Sequence, residues 1–249
     1  MSFRPSATNL SSLRSSSKSW IARQARDPYV KKRLSDPASY RSRSAFKLLE
    51  INDQWDSFLT KPDVKAVVDL GAAPGGWSQV PYDPLNIDDL EPSSALTGRG
   101  TIVAVDLLKM QPIHGVHAIQ ADFLAAETER RIHNLLSVKG NLECKADIIL
   151  SDIAANASGN DVHDIESSLE ICEAVFCFAR QYLRSAERIG RRRGGVLLMK
   201  HFEHPLLQKF RVEKLLPNFH DVRYIKPDSS RSASREGYFL CQGWKALEE

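Results

Sequence analysis

The stretch Val67-Val68-Asp69-Leu70-Gly71-Ala72-Ala73-Pro74-Gly75-Gly76-Trp77 decides the fold. Three of its first four residues are apolar, two of them β-branched valines, and the run reads as a buried strand. The run breaks into small residues and glycines. Glycine adopts positive φ without a Cβ clash and lets a ligand approach the backbone closely. In an open α/β sheet, the carboxyl end of a strand is where ligands bind. Two readings stand at this point, a ligand-binding turn and an ordinary strand-to-loop break at Pro74-Gly75. The stretch lacks the Gly-Lys-Ser/Thr close of a Walker loop and the spacing of a dinucleotide G-x-G-x-x-G motif.

Outward from this turn, strands and helices alternate. Strands are predicted at Lys65 to Leu70, Thr101 to Asp106, Val116 to Gln120, Ala146 to Asp152, Val196 to Lys200, Asp221 to Ile225 and Gly237 to Gly243. Helices are predicted at Ser39 to Asn52, from Trp77, and at Leu124 to Leu136, Ile165 to Leu183 and Leu206 to Leu216. Leu169, Cys172, Phe176, Ala179 and Leu183 form the apolar stripe of the longest helix. This order predicts a three-layer α/β/α domain on a mostly parallel sheet. Residues 81 to 100, with Pro81, Pro84 and Pro92, read as an acidic loop where a helix is expected.

Length and charge bound the organisation. The 249 residues suit one domain with a tail. Residues 1 to 50 hold eleven Lys/Arg against three Asp/Glu, net +8, while the remainder is net −5. That asymmetry points to an anionic partner or a targeting tail, with a merely solvated tail as the bland reading. Residues 1 to 18 are Ser-rich and expected to be unfolded; residues 19 to 249 are expected to form the domain. Residues 1 to 26 contain no acid and five basic residues, which fits a mitochondrial presequence. Between Trp20 and Arg33, aromatic and cationic residues mix in a way suited to nucleic acid. No apolar run reaches transmembrane length. The four cysteines show no zinc spacing; Cys172 and Cys177 are expected as buried thiols. His201, His204 and His220 form no metal pattern, so no metal is expected. Arg191 to Arg193 read as a solvated turn.

Polar groups fall at the strand ends: Asp106, Asp122, Asp152 and Lys200, with Glu236 just before the last strand. A strand-end carboxylate can accept from a ribose diol, or simply cap the next turn. Asp122 with Phe123 could offer an acceptor and an apolar surface to an adenine ring. A lysine beside two carboxylates can have a tuned pKa. Lys47, inside its helix, would ordinarily face solvent. The residues by themselves predict a nucleotide-type ligand and an enzyme, with a non-catalytic nucleic-acid binder as the alternative.

The chain resembles the FtsJ family of S-adenosylmethionine-dependent RNA ribose 2'-O-methyltransferases. The matching segments are Arg41-Ser42-Arg43-Ser44-Ala45-Phe46-Lys47-Leu48, Asp69 to Gln79, Ser151-Asp152-Ile153-Ala154, Met199-Lys200, Lys226 to Arg231, and Ser234-Arg235-Glu236. They occur in the family's order over roughly residues 18 to 243. The resemblance implies a Rossmann-like, seven-stranded sheet with one antiparallel strand. It implies a catalytic tetrad of Lys47, Asp152, Lys200 and Glu236, with Lys200 as proton acceptor. It implies S-adenosylmethionine held by Gly71, Pro74, Gly75, Gly76, Trp77, Asp106, Asp122, Phe123 and Asp152. Two features depart from the family: Ala155 stands where a proline is usual, and residues 81 to 100 replace a continuous helix.

The segments Trp20 to Val30 and Pro112 to Val116 look most like the bacterial and mitochondrial branch, which methylates a uridine of large-subunit rRNA. Expected partners are therefore large-subunit rRNA or a pre-ribosomal particle, and the expected compartment is the mitochondrial matrix, with nucleus or cytoplasm as alternatives. A monomer is expected. A tRNA 2'-O-methyltransferase and a non-catalytic rRNA-binding assembly factor remain the alternative functions.

Overall fold

Seven strands lie in one sheet in the order β3-β2-β1-β4-β5-β7-β6. They are β1 (Ala66–Leu70), β2 (Thr101–Asp106), β3 (Val116–Gln120), β4 (Ile148–Ser151), β5 (Val196–Phe202), β6 (Phe219–Ile225) and β7 (Glu236–Trp244). The order comes from a computed structural model, which describes residues 27–81, 100–137, 141–154, 161–232 and 234–246. The expected tail, the presequence, most of the 81–100 insertion and the family departure at Ala155 lie outside the described residues. All strand pairs are parallel except those of β7, which runs antiparallel to both β5 and β6. The expected Rossmann-like α/β/α architecture with a seven-stranded mostly parallel sheet is the one observed.

The two faces follow from the period-2 alternation of strand side chains. On β1, Ala66, Val68 and Leu70 enter one core cluster and Val67 the other. On β7, Phe239 and Cys241 join the first, and Tyr238 and Leu240 the second. The first cluster is covered by α4 (Ala126–Leu136), α5 (Asp161–Tyr182) and α7 (Pro205–Phe210). The second is covered by α2 (Ala45–Gln54), the 3-10 turn Phe58–Thr60, and Trp77 and Val80 at the short α3 (Gly76–Gln79). Short α6 (Ala186–Ile189) precedes β5, and a π-helical turn at Arg211–Leu215 links α7 to α8 (Leu216–Asn218). The end of the sheet away from the glycine turn is tied by Asp147, just before β4. Its Oδ2 accepts from the Lys65 and Ala66 amides at 2.7 and 2.9 Å, and Arg184 approaches the same carboxylate at 2.9 Å.

Four local expectations are corrected. The helix expected from Ser39 begins at Ala45, because Ser39 sits at φ 49 and the chain turns through residues 41 to 44 first. A helix not expected, α1 (Pro28–Ser35), precedes it; Asp27 caps it by accepting from the Tyr29 and Val30 amides, and Pro28 occupies its first position. Cys177 is exposed while Cys172, Phe176, Ala179 and Leu183 are buried. Position 177 lies about 140° around the helix from 172, off the apolar stripe. Arg191 is not merely solvated: it chelates Asp63 through two guanidinium nitrogens at 2.8 and 3.1 Å.

Among the described residues, no helix is long and apolar enough to cross a membrane. Nor is any group of three or more His, Cys, Asp or Glu among them placed to hold a metal ion.

Candidate active site

The glycine turn leaves β1 beside β2. Gly71 and Ala72 amides both donate to the Val105 carbonyl, at 2.8 and 3.2 Å, which fixes where the turn starts. Gly71 and Gly75 take φ of 71 and 109, and the Ala73–Pro74 peptide is cis. The glycines are required by close approach as well. A Cβ at Gly71 would lie 2.1 Å from Ile153 Cγ1, and one at Gly76 would lie 2.0 Å from Ser42 Oγ. Trp77, 2% exposed, packs tilted against Tyr238 with ring centroids 5.7 Å apart. Its indole N–H donates to the Ser44 carbonyl at 2.8 Å, joining the turn to the start of α2.

Acids stand at or just beyond the ends of the neighbouring strands. Asp106 Oδ2 accepts from the Ala73 amide at 2.8 Å and Oδ1 from the Leu108 amide at 2.7 Å, so Asp106 both ties the glycine turn and caps the turn after β2. Each oxygen keeps a second lone pair for a ligand hydroxyl. Asp122 is exposed, and its Oδ1 accepts from the Leu124 amide at 2.9 Å. Phe123 is half-buried and meets Phe178 edge-on at 6.0 Å, so part of its ring belongs to the core. Asp69, missed from the sequence as a site residue, lies beneath the turn and is fully buried. Its Oδ2 accepts from Ser78 Oγ at 2.6 Å and its Oδ1 has no partner. Burial, against the Ser78 hydrogen bond and with help from Asp152 and Asp106, pushes its carboxyl up to about 7. An orphaned carboxylate oxygen among further acids suits a cationic ligand with hydroxyls. The residues present therefore fit a sulfonium cofactor.

The four polar residues expected as a tetrad converge as two ion pairs. Lys200 Nζ lies 2.8 Å from Asp152 Oδ1 and donates to the Asp152 carbonyl at 3.1 Å. Lys47 Nζ lies 2.6 Å from Glu236 Oε1. Lys47 is 7% exposed, so the solvated-face reading of this lysine is overturned. The reason is Glu236, which reaches α2 from the far end of the chain. The sheet register brings the pairs together: β5 and β7 pair Lys200 with Tyr238 and Phe202 with Glu236. Burial alone would raise the Glu236 carboxyl. The Lys47 charge and hydrogen bond, with the Lys200 charge behind them, outweigh it and hold the carboxyl below its ordinary value.

Tyr238 was legible only as a core residue. Its hydroxyl donates to Asp152 Oδ1 at 2.8 Å, and its ring lies 5.7 Å from Lys47 Nζ. It thus touches both ion pairs. Arg41, matched only as part of a motif, fastens three segments around the turn. Its amide donates to Gln79 Oε1 at 2.8 Å, and its guanidinium donates to the Pro74, Gln111 and Pro112 carbonyls.

Residues 40–244 match the model of a family described as FtsJ-like methyltransferase. The chain is 40% identical over 235 residues to ribosomal RNA large subunit methyltransferase E of Rhodopseudomonas palustris, covering 94% of this chain and 87% of that one. It is 39% identical over 227 residues to the protein of that name from Rickettsia akari, with 90% and 88% covered. Among solved structures, it is similar to a Plasmodium falciparum chain described as a ribosomal RNA methyltransferase. The TM-score is 0.65 at 27% identity, covering 82% of this chain and 98% of that one.

Proposed function

We propose that this chain, which belongs to the FtsJ-like methyltransferase family, transfers a methyl group from S-adenosylmethionine to a ribose 2'-hydroxyl of large-subunit rRNA. The observation that carries this reading is the placement of the Lys200–Asp152 pair at the carboxyl ends of β4 and β5, facing the Lys47–Glu236 pair and next to the glycine turn.

The cofactor would be held by the turn from Gly71 to Trp77, with Asp106 and Asp122 toward its hydroxyls and base and Asp69 and Asp152 near its charged end. When bound, S-adenosylmethionine supplies a methyl group on a positively charged sulfur. The chain's own residues prepare the oxygen that takes it. Lys200 Nζ holds the 2'-hydroxyl and, once its own ammonium has given a proton to solvent, accepts the hydroxyl proton as a neutral amine. Asp152 orients that nitrogen, and is itself held by the Tyr238 hydroxyl and unable to swing away. Lys47 offers positive charge to the negative charge growing on the ribose side, and Glu236 keeps its ammonium in place. Orientation and preset charge supply the rate enhancement.

The finer reading is a uridine in mitochondrial large-subunit rRNA. Its support is the basic, acid-free amino-terminal stretch of residues 1 to 26 and the mixed aromatic and cationic residues up to Arg33. The mitochondrial matrix is the compartment proposed on the same ground.

The test is methyl transfer from labelled S-adenosylmethionine to a large-subunit rRNA transcript and to assembled large-subunit particles, followed by ribose-methylation mapping. Transfer to one ribose 2'-oxygen, abolished in Lys200→Ala with donor affinity kept, supports the proposal. An inactive wild type on both substrates, with rRNA bound, would identify a non-catalytic assembly factor.

A further inference from the structure

The turn that delivers Glu236 to its partner is gripped by an acid that no ion pair explains. Glu50 lies on α2, three residues after Lys47 and so on the same side of the helix. Its Oε1 accepts from the Asp228 amide at 2.5 Å and its Oε2 from the Ser229 amide at 3.0 Å. Arg43, just before α2, donates to the Ser229 carbonyl and to Asp27 Oδ2. Arg231 donates to the same Asp27 oxygen at 3.2 Å. One segment, residues 43 to 50, therefore holds residues 228 and 229 directly, holds Arg231 through Asp27, and holds Glu236 through Lys47.

A half-buried carboxylate one helical turn from Lys47 works against binding a polyanion there. Its position there calls for a compensating use. Two hydrogen bonds from adjacent backbone amides to one carboxylate are charge-assisted and directional. They fix the turn at residues 228 and 229, seven residues ahead of Glu236.

We propose that Glu50 is a positioning residue for Glu236: by clamping the 228–229 turn to α2 it keeps the Lys47–Glu236 pair closed. Both Glu50 oxygens are engaged by the Asp228 and Ser229 amides, so it acts through Glu236. The kinetic arm of its test rests on the function proposed above; the titration arm does not.

The experiment compares Glu50→Ala and Glu50→Gln with wild type. In Glu50→Ala, kcat for rRNA methylation should fall about tenfold, the scale of a modest misplacement of a catalytic group, with KM for the donor unchanged. Glu50→Gln keeps one accepting oxygen and should fall in between. Combined with Glu236→Ala, the Glu50→Ala change should cost nothing further, because it acts through Glu236. In parallel, the Glu236 carboxyl is titrated by NMR in the full chain without RNA. The groups facing it are Lys47 from α2, Lys200 from β5 and the Tyr238 phenol of β7. In wild type it should titrate below its ordinary 4.5. In Glu50→Ala it should move up as Lys47 is displaced. An unmoved titration, or a kinetic loss that adds in full to that of Glu236→Ala, overturns the proposal. A wild type without methyl transfer overturns the function proposed above, and the titration still decides the role of Glu50.

Discussion

The Tyr238 hydroxyl donates to Asp152 Oδ1 at 2.8 Å, the same oxygen that Lys200 Nζ meets at 2.8 Å. One carboxylate oxygen is shared by a buried phenol and an ammonium. Burial, Asp152 and Glu236 together push the phenol well above its ordinary pKa, so it stays a donor throughout the working range. In Tyr238→Phe the Asp152 carboxylate loses one of its two fixed partners. The expected result is a lower kcat with donor affinity kept, and a stability loss of about 1 kcal/mol for one hydrogen bond. Single-turnover methylation and donor titration calorimetry measure the two effects separately.

The Lys47–Glu236 ion pair keeps its own carboxyl charged. Glu236 is held below its ordinary value by Lys47 and Lys200 against burial, so it stays ionised as pH falls through the usual glutamate range. In Lys47→Ala the largest opposing charge is gone and burial acts with less resistance. The Glu236 carboxyl should then titrate at higher pH, which NMR titration of that carboxyl measures. A Glu236 titration at the same pH in both proteins would assign its lowered value to another group.

Asp69 and His201 pull stability in opposite directions as pH changes. His201 is stacked on Phe239 at 3.7 Å between ring centroids, and burial pushes it down from 6.5 to about 4. The unfolded chain therefore binds a proton that the folded chain refuses, and stability falls as pH drops from 6.5 to 4. Asp69, raised from 3.8 to about 7, does the reverse, and stability falls as pH rises across that window. Relative to wild type, His201→Phe should gain up to about 3 kcal/mol on going from pH 6.5 to pH 4. Asp69→Asn should gain up to about 4 kcal/mol on going from pH 4 to pH 7. Urea unfolding across that range measures both slopes.

Gly71→Ala meets Ile153, the residue after Asp152, at 2.1 Å, and places a side chain at φ 71. Backbone conformation and overpacking together should cost about 2–4 kcal/mol. Ile153→Ala removes the clashing Cγ1 but leaves the backbone strain, so the double variant should recover part of the loss in a thermal melt. Full additivity of the two losses would place the strain elsewhere.

The sheet was largely legible because its strands are short apolar runs separated by turn residues. The seven predicted strands all appear, with ends shifted by a few residues. β6, for instance, starts at Phe219 rather than Asp221. The acids and the lysine at strand ends were legible for the same reason, since a strand's end is a local property. What escaped depends on pairing across the chain. Tyr238 reads as an apolar residue of β7 until the antiparallel register sets it opposite Lys200. Glu50 reads as a helix-surface acid until the backbone amides of Asp228 and Ser229 arrive, about 180 positions later. Helix α1 was locally marked, by Asp27-Pro28, but its polar composition hid the mark.

The reversed direction of β7 sorts the last part of the chain by tolerance to alteration. Because β7 runs against β5, its first residue lies at the rim that carries the two ion pairs, while Trp244, about 27 Å further along the strand, lies at the opposite rim. A reporter peptide spliced just after Trp244 would emerge on the side away from the two lysines. One spliced between Ile225 and Glu236 would open the turn that Glu50 holds. Labelling strategies for this enzyme should therefore favour the back of the sheet.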